Sequence, residues 1–152
     1  MRVIALQGKS NTGKTTTLRR MILTIIQNNI FDTTLIDDLA KIIKKCLLST
    51  GDVKCMFTYN NIKIGVTSRG DARRFLEYDF NEFFKGCDIV VCAVHTSGET
   101  VDYIREKGND GILIHTKWFV ETNDIKTIEK VNLIQSNFLI NEIKRVAKER
   151  KI

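Results

Sequence analysis

Apolar residues along this chain follow two patterns, short runs and longer stretches with the three-to-four-residue spacing of a helix. The short runs predict β-strands at 3–6, 53–59, 62–68, 89–94 and 111–117. The longer stretches predict helices at 14–27, 35–48, 72–85, 98–106 and 133–148. Residues 118–130 fit neither pattern.

The order of these elements predicts the fold class. Strands alternate with helices over most of the chain, which is typical of an α/β fold with a mostly parallel, doubly wound sheet and helices on both faces. Only Asn60 and Asn61 separate two of the strands, and asparagine tolerates the positive φ angles of a two-residue hairpin turn. We therefore expect a five-stranded sheet in which strand 53–59 is antiparallel and lies at an edge. No shift in composition divides the chain, so residues 1–152 are expected to form one domain.

Composition adds few constraints to this picture. Apolar residues make up 43% of the chain and charged residues 28%, as in an ordinary globular protein. No apolar run approaches the length of a membrane-spanning helix, and the first residues are predicted to form a strand rather than a signal peptide. The cysteines form no paired C-x-x-C sets, so we expect free thiols and a cytoplasmic setting. They are Cys46, Cys55, Cys87 and Cys92.

The net charge of +6 is partly concentrated near the end of the chain. After position 143, one acidic residue, Glu149, accompanies five basic ones. The basic residues are Lys144, Arg145, Lys148, Arg150 and Lys151. Such a helix is either a solvated face with cations in its last turns or a weak contact for a protein partner or a nucleic acid.

The clearest chemical signal lies between the first strand and the first helix. Residues 8–15 read Gly-Lys-Ser-Asn-Thr-Gly-Lys-Thr, which fills every fixed position of the pattern G-x-x-x-x-G-K-[ST]. This segment resembles the Walker A loop of P-loop NTPases, and its strand–loop–helix context is the expected one. The resemblance implies binding of ATP or another nucleoside triphosphate with Mg²⁺.

The chemistry of a triphosphate explains this spacing. Backbone N–H groups at a helix N-terminus cradle phosphate oxygens, Lys14 is expected to reach the β- and γ-phosphates, and the Thr15 hydroxyl is expected to bind Mg²⁺. The predicted nucleotide-binding residues are Gly8, Lys9, Ser10, Asn11, Thr12, Gly13, Lys14, Thr15 and Thr16.

Other candidates follow from the loops at the carboxyl ends of the strands, where such sheets bind ligands. Asp71 is expected either to hold the metal and accept a proton, or merely to cap the following helix. At most one of Arg69, Arg73 and Arg74 is expected near the γ-phosphate, and we choose Arg69, with Lys14 and Asp71, as the catalytic set.

Two further residues of these loops, His95 and Ser97, could contact phosphate or substrate. Glu99 has capping-box spacing to Thr96 and is expected either to begin a helix with it or to act as a catalyst. Asp37 has the same spacing to Thr34 and is expected to begin helix 35–48.

Several family features are absent or altered. No apolar run ends in the Asp of a Walker B segment. The hairpin looks like that of small GTPases, with Thr50 at the position of their switch threonine. Their guanine-specifying N/T-K-x-D pattern is echoed by residues 116–119, but Phe119 replaces the Asp, which disfavours guanine. Trp118 or Phe119 could instead stack on a base or belong to the core.

Three functions therefore stay open at the level of sequence. The first is a small Mg²⁺-dependent ATPase. The second is a small-molecule kinase whose acceptor pocket involves helix 34–48 and loop 95–98. The third is a non-catalytic nucleotide-dependent switch or nucleic-acid adaptor, favoured by the missing Walker B acid and the basic tail.

Overall fold

A computed structural model of the chain describes residues 1–49 and 51–150. It confirms the α/β fold with a five-stranded mixed sheet. The strands are β1 Arg2–Gln7, β2 Lys54–Tyr59, β3 Ile62–Thr67, β4 Ile89–Val94 and β5 Ile112–Thr116. The helices are α1 Lys14–Gln27, α2 Leu39–Leu48, α3 Arg73–Tyr78, α4 Glu99–Lys107 and α5 Ile125–Arg150, and a π-helical turn, Asp79–Phe83, continues α3.

The sheet has the strand order β2-β3-β4-β1-β5. β1 pairs in parallel with both β4 and β5, and β3 pairs in parallel with β4. β2 is antiparallel to β3 and occupies an edge, as predicted. The hairpin turn has the expected backbone, with φ of 53° at Asn60 and 65° at Asn61. The carboxyl ends of the four parallel strands therefore meet at one edge of the sheet.

Two hydrophobic cores cover the two faces of the sheet. β1 contributes to both because its side chains alternate: Ile4 and Leu6 lie in one core, whereas Val3 and Ala5 lie in the other. The first core is closed by residues of α1 and α5 and the second by residues of α3 and α4. Within the described part of the chain, no helix is both long and apolar enough to cross a membrane.

The second helix begins later than its sequence pattern predicts. α2 starts at Leu39, and the Asp38 side chain accepts the Lys41 N–H at 3.0 Å, so the predicted cap at Thr34 is wrong. The cause is the preceding segment, because Asp32 exchanges two backbone hydrogen bonds with Thr58 of β2. This bridge holds the chain extended before the helix can begin.

Two other helices also differ from their predictions. The expected helix 72–85 changes register after α3, and in the π-helical turn the Phe84 N–H donates to the carbonyl oxygen of Asp79, five residues earlier, at 2.8 Å. α5 starts at residue 125 rather than 133. Its first turn is fixed by Asp124, whose carboxylate accepts the Lys126 N–H and the Thr127 hydroxyl.

Candidate functional site

The loop between β1 and α1 wraps around the start of the helix. Gly13 has φ of 90°, a conformation that favours glycine, and its carbonyl oxygen accepts the Thr17 N–H at 2.9 Å to open α1. At the other end of the loop, the Gly8 N–H donates to the carbonyl oxygen of Val94 at the end of β4. The loop is thereby fixed to two adjacent strands.

The side chains around Gly8 leave little room for a Cβ atom at this position. A Cβ atom built on Gly8 would lie 2.8 Å from Oγ1 of Thr12 and 3.2 Å from Cβ of Lys117, the residue after β5. The first distance is too short for a real contact. The Thr12 hydroxyl also donates to the carbonyl oxygen of Lys9 at 2.8 Å and so closes the loop on itself.

Lys14 is the buried cation of this loop, with 8% of its surface exposed. Its ammonium donates to the carbonyl oxygens of Gly8 and, at 3.2 Å, Lys9. Burial lowers the pKa of Lys14, and the Asp71 carboxylate partly opposes this by favouring the charged form. Lys14 and Asp71 line the same cavity.

A cavity of about 620 Å³, here called the Lys14 cavity, opens above this ammonium. It combines part of the predicted loop with one residue from each of the loops that follow β3 and β4. The lining residues are Ser10, Asn11, Gly13, Lys14, Thr15, Thr16, Asp71 and His95. Nε2 of His95 lies 3.2 Å from the carbonyl oxygen of Asp71, to which it donates when this nitrogen carries the proton. The sequence-predicted groups thus converge from β1, β3 and β4.

Asp71 does not cap the helix that follows it. The residue preceding α3 is Ala72, and no side chain caps this helix. The carboxylate is exposed and lines the Lys14 cavity. The predicted capping box of Thr96 and Glu99 is also wrong, since α4 begins after Gly98 without a side-chain cap.

The Lys14 cavity contains two oxygen donors of the kind that Mg²⁺ prefers. Mg²⁺ is commonly held by one or two protein oxygen ligands together with substrate phosphates and water. Thr15 and Asp71 line the same cavity and supply one hydroxyl and one carboxylate. Within residues 1–49 and 51–150, no group of three or more His, Cys, Asp or Glu side chains converges on a common point.

The arginines lie elsewhere. Arg69 lines a different cavity and forms an ion pair at 3.4 Å with the buried carboxylate of Asp79. Arg73 pairs with Glu77 and Glu106. The guanidinium of Arg74 lies over the Phe75 ring. Ser97 is exposed and does not line the Lys14 cavity. Thr50, which is expected at the position of a switch threonine, falls outside the described residues.

A second hollow adjoins the loop on the side of β5. It has a volume of about 220 Å³ and is lined by the loop residues Asn11 to Gly13 together with Lys117, Trp118 and Phe119. Lys117 is 6% exposed. Its side chain runs past Gly8 and Gly13 of the loop, and its ammonium donates to the carbonyl oxygen of Trp118. Trp118 is 42% and Phe119 66% exposed, so neither is a core residue.

Three buried polar residues of α5, missed in the sequence pattern, hold these parts together. Gln135 accepts the Trp118 N–H at 2.8 Å and donates to the carbonyl oxygen of Thr116 at 2.9 Å. Asn132 accepts from the Thr17 hydroxyl, and Ser136 donates to the carbonyl oxygen of Thr17. Their spacing of three and four residues places them on one helix face. This spacing is the sequence signal from which the polar face of α5 could be predicted.

Comparisons of the chain with protein-family models, with curated proteins and with solved structures find no match.

Proposed function

We propose that this protein binds a nucleoside triphosphate with Mg²⁺ and hydrolyses it. The observation that carries the proposal is the buried Lys14 ammonium, which lies at the N-terminus of α1 beneath an open cavity. It bonds to carbonyl oxygens of its own loop. These bonds can be exchanged for phosphate oxygens, and the helix N-terminus adds further N–H donors.

The other residues of the Lys14 cavity have separate roles in this proposal. Thr15 and Asp71 would hold Mg²⁺, which neutralises charge on the phosphate oxygens. Asp71 can also orient the attacking water as a proton acceptor. His95 fixes the backbone of Asp71 through its contact with the carbonyl oxygen. Arg69 is excluded from direct contact with the γ-phosphate for as long as it remains paired with Asp79.

The hollow beside Lys117 is the proposed base site, with a preference for adenine. The exposed ring of Trp118 and the apolar side chain of Phe119 offer stacking surfaces. A guanine-specific site would need an acceptor for the donor groups of that base, and Phe119 supplies none. We therefore expect tighter binding of ATP than of GTP.

A kinase is the second candidate, favoured by one observation. α2 lines a further cavity of about 290 Å³ next to the loop that carries Asp71, which is where an acceptor could lie. The adaptor alternative has less support, because two of the basic residues of α5 are already paired. Arg145 pairs with Glu142 and Glu149, and Arg150 with Asp88 and Asp110.

Titration calorimetry with ATP and GTP in the presence of Mg²⁺ tests nucleotide binding. Wild-type protein is expected to bind ATP, Lys14→Ala to lose tight binding, and the control Lys85→Ala, an exposed lysine, to bind as wild type. If Lys14→Ala bound ATP with the same affinity as wild type, the proposed phosphate site would be wrong. Phosphate release without an acceptor supports the hydrolase, whereas transfer only to an added metabolite supports the kinase.

A further inference from the structure

A second charged cavity lies on the opposite side of loop 68–71 from the Lys14 cavity. It has a volume of about 290 Å³ and is enclosed by α2, β2 and the π-helical turn. Arg69 lines this cavity and Asp71 lines the other. Only Gly70 separates them, so the Cα atoms of Arg69 and Asp71 are at most about 7 Å apart. We call it the Arg69 cavity.

Two cations of this cavity converge on one carboxylate. Asp79 is fully buried, and its oxygens accept from the Thr67 hydroxyl at 2.8 Å, the Lys54 ammonium at 3.3 Å and the Arg69 guanidinium at 3.4 Å. A lysine has three N–H donors and an arginine five. Each therefore keeps free donors, and about a quarter of each side chain is exposed. Asp79 balances one of these two charges.

Helix α2, which also lines the Arg69 cavity, adds two more cations. Lys41 and Lys45 stand one helical turn apart on α2 and both line the cavity. Among residues 1–49 and 51–150, neither forms an ion pair with a carboxylate, although the Lys45 ammonium lies 3.4 Å from the carbonyl oxygen of Asp52. Four cations thus surround a space small enough for one compact ligand.

Acidic and apolar groups of the same cavity restrict what that ligand can be. Three carboxylates, those of Asp37, Asp38 and Asp52, line the cavity beside the four cations. Asp38 and Asp52 also accept the Lys41 N–H and the Ser68 hydroxyl, and Asp37 can accept from a ligand hydroxyl. Met56 and Phe83 supply apolar surface. The combination suits a molecule with a doubly charged anionic group, hydroxyls and a short carbon skeleton.

We propose that the Arg69 cavity binds a small hydroxylated phosphate monoester. A phosphate dianion can accept from several of the four cations at once, in the charge-assisted bonds that are the strongest in proteins. Binding there does not depend on the nucleotide proposal, whereas a role as phosphoryl acceptor would rest on it.

The test uses ribose 5-phosphate and protein carrying Lys14→Ala, so that the Walker A loop cannot account for phosphate binding. Calorimetry is expected to show binding to this protein and none of plain ribose. Adding Lys41→Gln and Lys45→Gln should weaken binding about tenfold or more, since hydrogen bonds to charged groups are lost. Adding Lys44→Gln instead, an exposed α2 lysine that does not line the cavity, should leave the affinity unchanged.

Two results would overturn the proposal. Ribose 5-phosphate would fail to bind, or it would bind equally well after Lys41 and Lys45 are replaced. The first result would mean that Lys54 and Arg69 serve only to neutralise Asp79, and the second that Lys41 and Lys45 do not belong to an anion site. Failure of the nucleotide proposal is separate, because it appears as absent ATP binding to wild-type protein and leaves this titration unaffected.

Discussion

Gly70 packs against the backbone of Ala93, so closely that a Cβ atom built on Gly70 would overlap the carbonyl oxygen of Ala93. The loop after β3 is therefore held against the end of β4. In the chain, Gly70 stands between Arg69 and Asp71, and each of these two residues lines one of the two cavities. The contact between Gly70 and Ala93 fixes the wall between the proposed nucleotide site and the proposed anion site.

Replacing Gly70 with alanine should move this wall. The added methyl group meets backbone rather than a flexible side chain, so the loop must shift, and the free energy of unfolding should fall by about 1–3 kcal/mol, as for other overpacked sites. Urea unfolding measures the loss. Phosphate release should fall as well, because Asp71 is displaced from Lys14. Wild-type stability and turnover in Gly70→Ala would contradict the assigned position of the loop.

Asp71→Asn should separate nucleotide binding from turnover. The amide keeps the size of the side chain but cannot accept a proton or supply a charge to Mg²⁺, so we expect ATP binding to persist and hydrolysis to fall about a hundredfold. Steady-state phosphate release measures the effect. The control is Asp102→Asn, since Asp102 is exposed on α4. Full activity in Asp71→Asn would exclude a catalytic role.

The sequence predicts the elements around the loop between β1 and α1 well because the signals there are local. The run in β1, Gly13 and the helical spacing of α1 act within a few residues of one another, and α1 spans Lys14–Gln27 as predicted. The hairpin follows in the same way from the two asparagines. Parallel pairing of the remaining strands is implied by their alternation with helices.

The parts that could not be predicted depend on contacts between distant segments. Thr34 has capping spacing, but the bridge between Asp32 and Thr58 prevents a helix there. Arg69 is drawn away from the Lys14 cavity by Asp79, a carboxylate ten residues later whose burial no local pattern reveals. The polar face of α5 could have been noticed from its spacing, although its partners could not.

Gln135→Leu should loosen the loop that carries the proposed base site. Gln135 is fully buried and bridges Thr116 and Trp118, and its loss leaves one carbonyl and one N–H without their partner. We expect unfolding to become easier by about 1–3 kcal/mol and ATP affinity to fall. The control is Asn137→Leu, an exposed amide on the same helix. Equal effects of the two substitutions in thermal unfolding would argue against the bridging role.

The affinity for triphosphate should depend on pH through Lys14. Burial lowers the pKa of this ammonium below its usual value of 10.5, while the Asp71 carboxylate raises it. Affinity should therefore be constant at lower pH and fall as the pH rises through the pKa of Lys14 in the free protein, before an ordinary lysine would lose its charge. Asp71→Asn should move the fall to lower pH, since the opposing carboxylate is gone. Lys14→Arg should abolish the fall in affinity, because arginine stays charged throughout.

Calorimetric titrations with ATP between about pH 7 and 10.5, without Mg²⁺, measure the pH profiles of wild type, Asp71→Asn and Lys14→Arg. A flat wild-type profile, or identical wild-type and Asp71→Asn profiles, would show that Lys14 and Asp71 are not coupled at the triphosphate site.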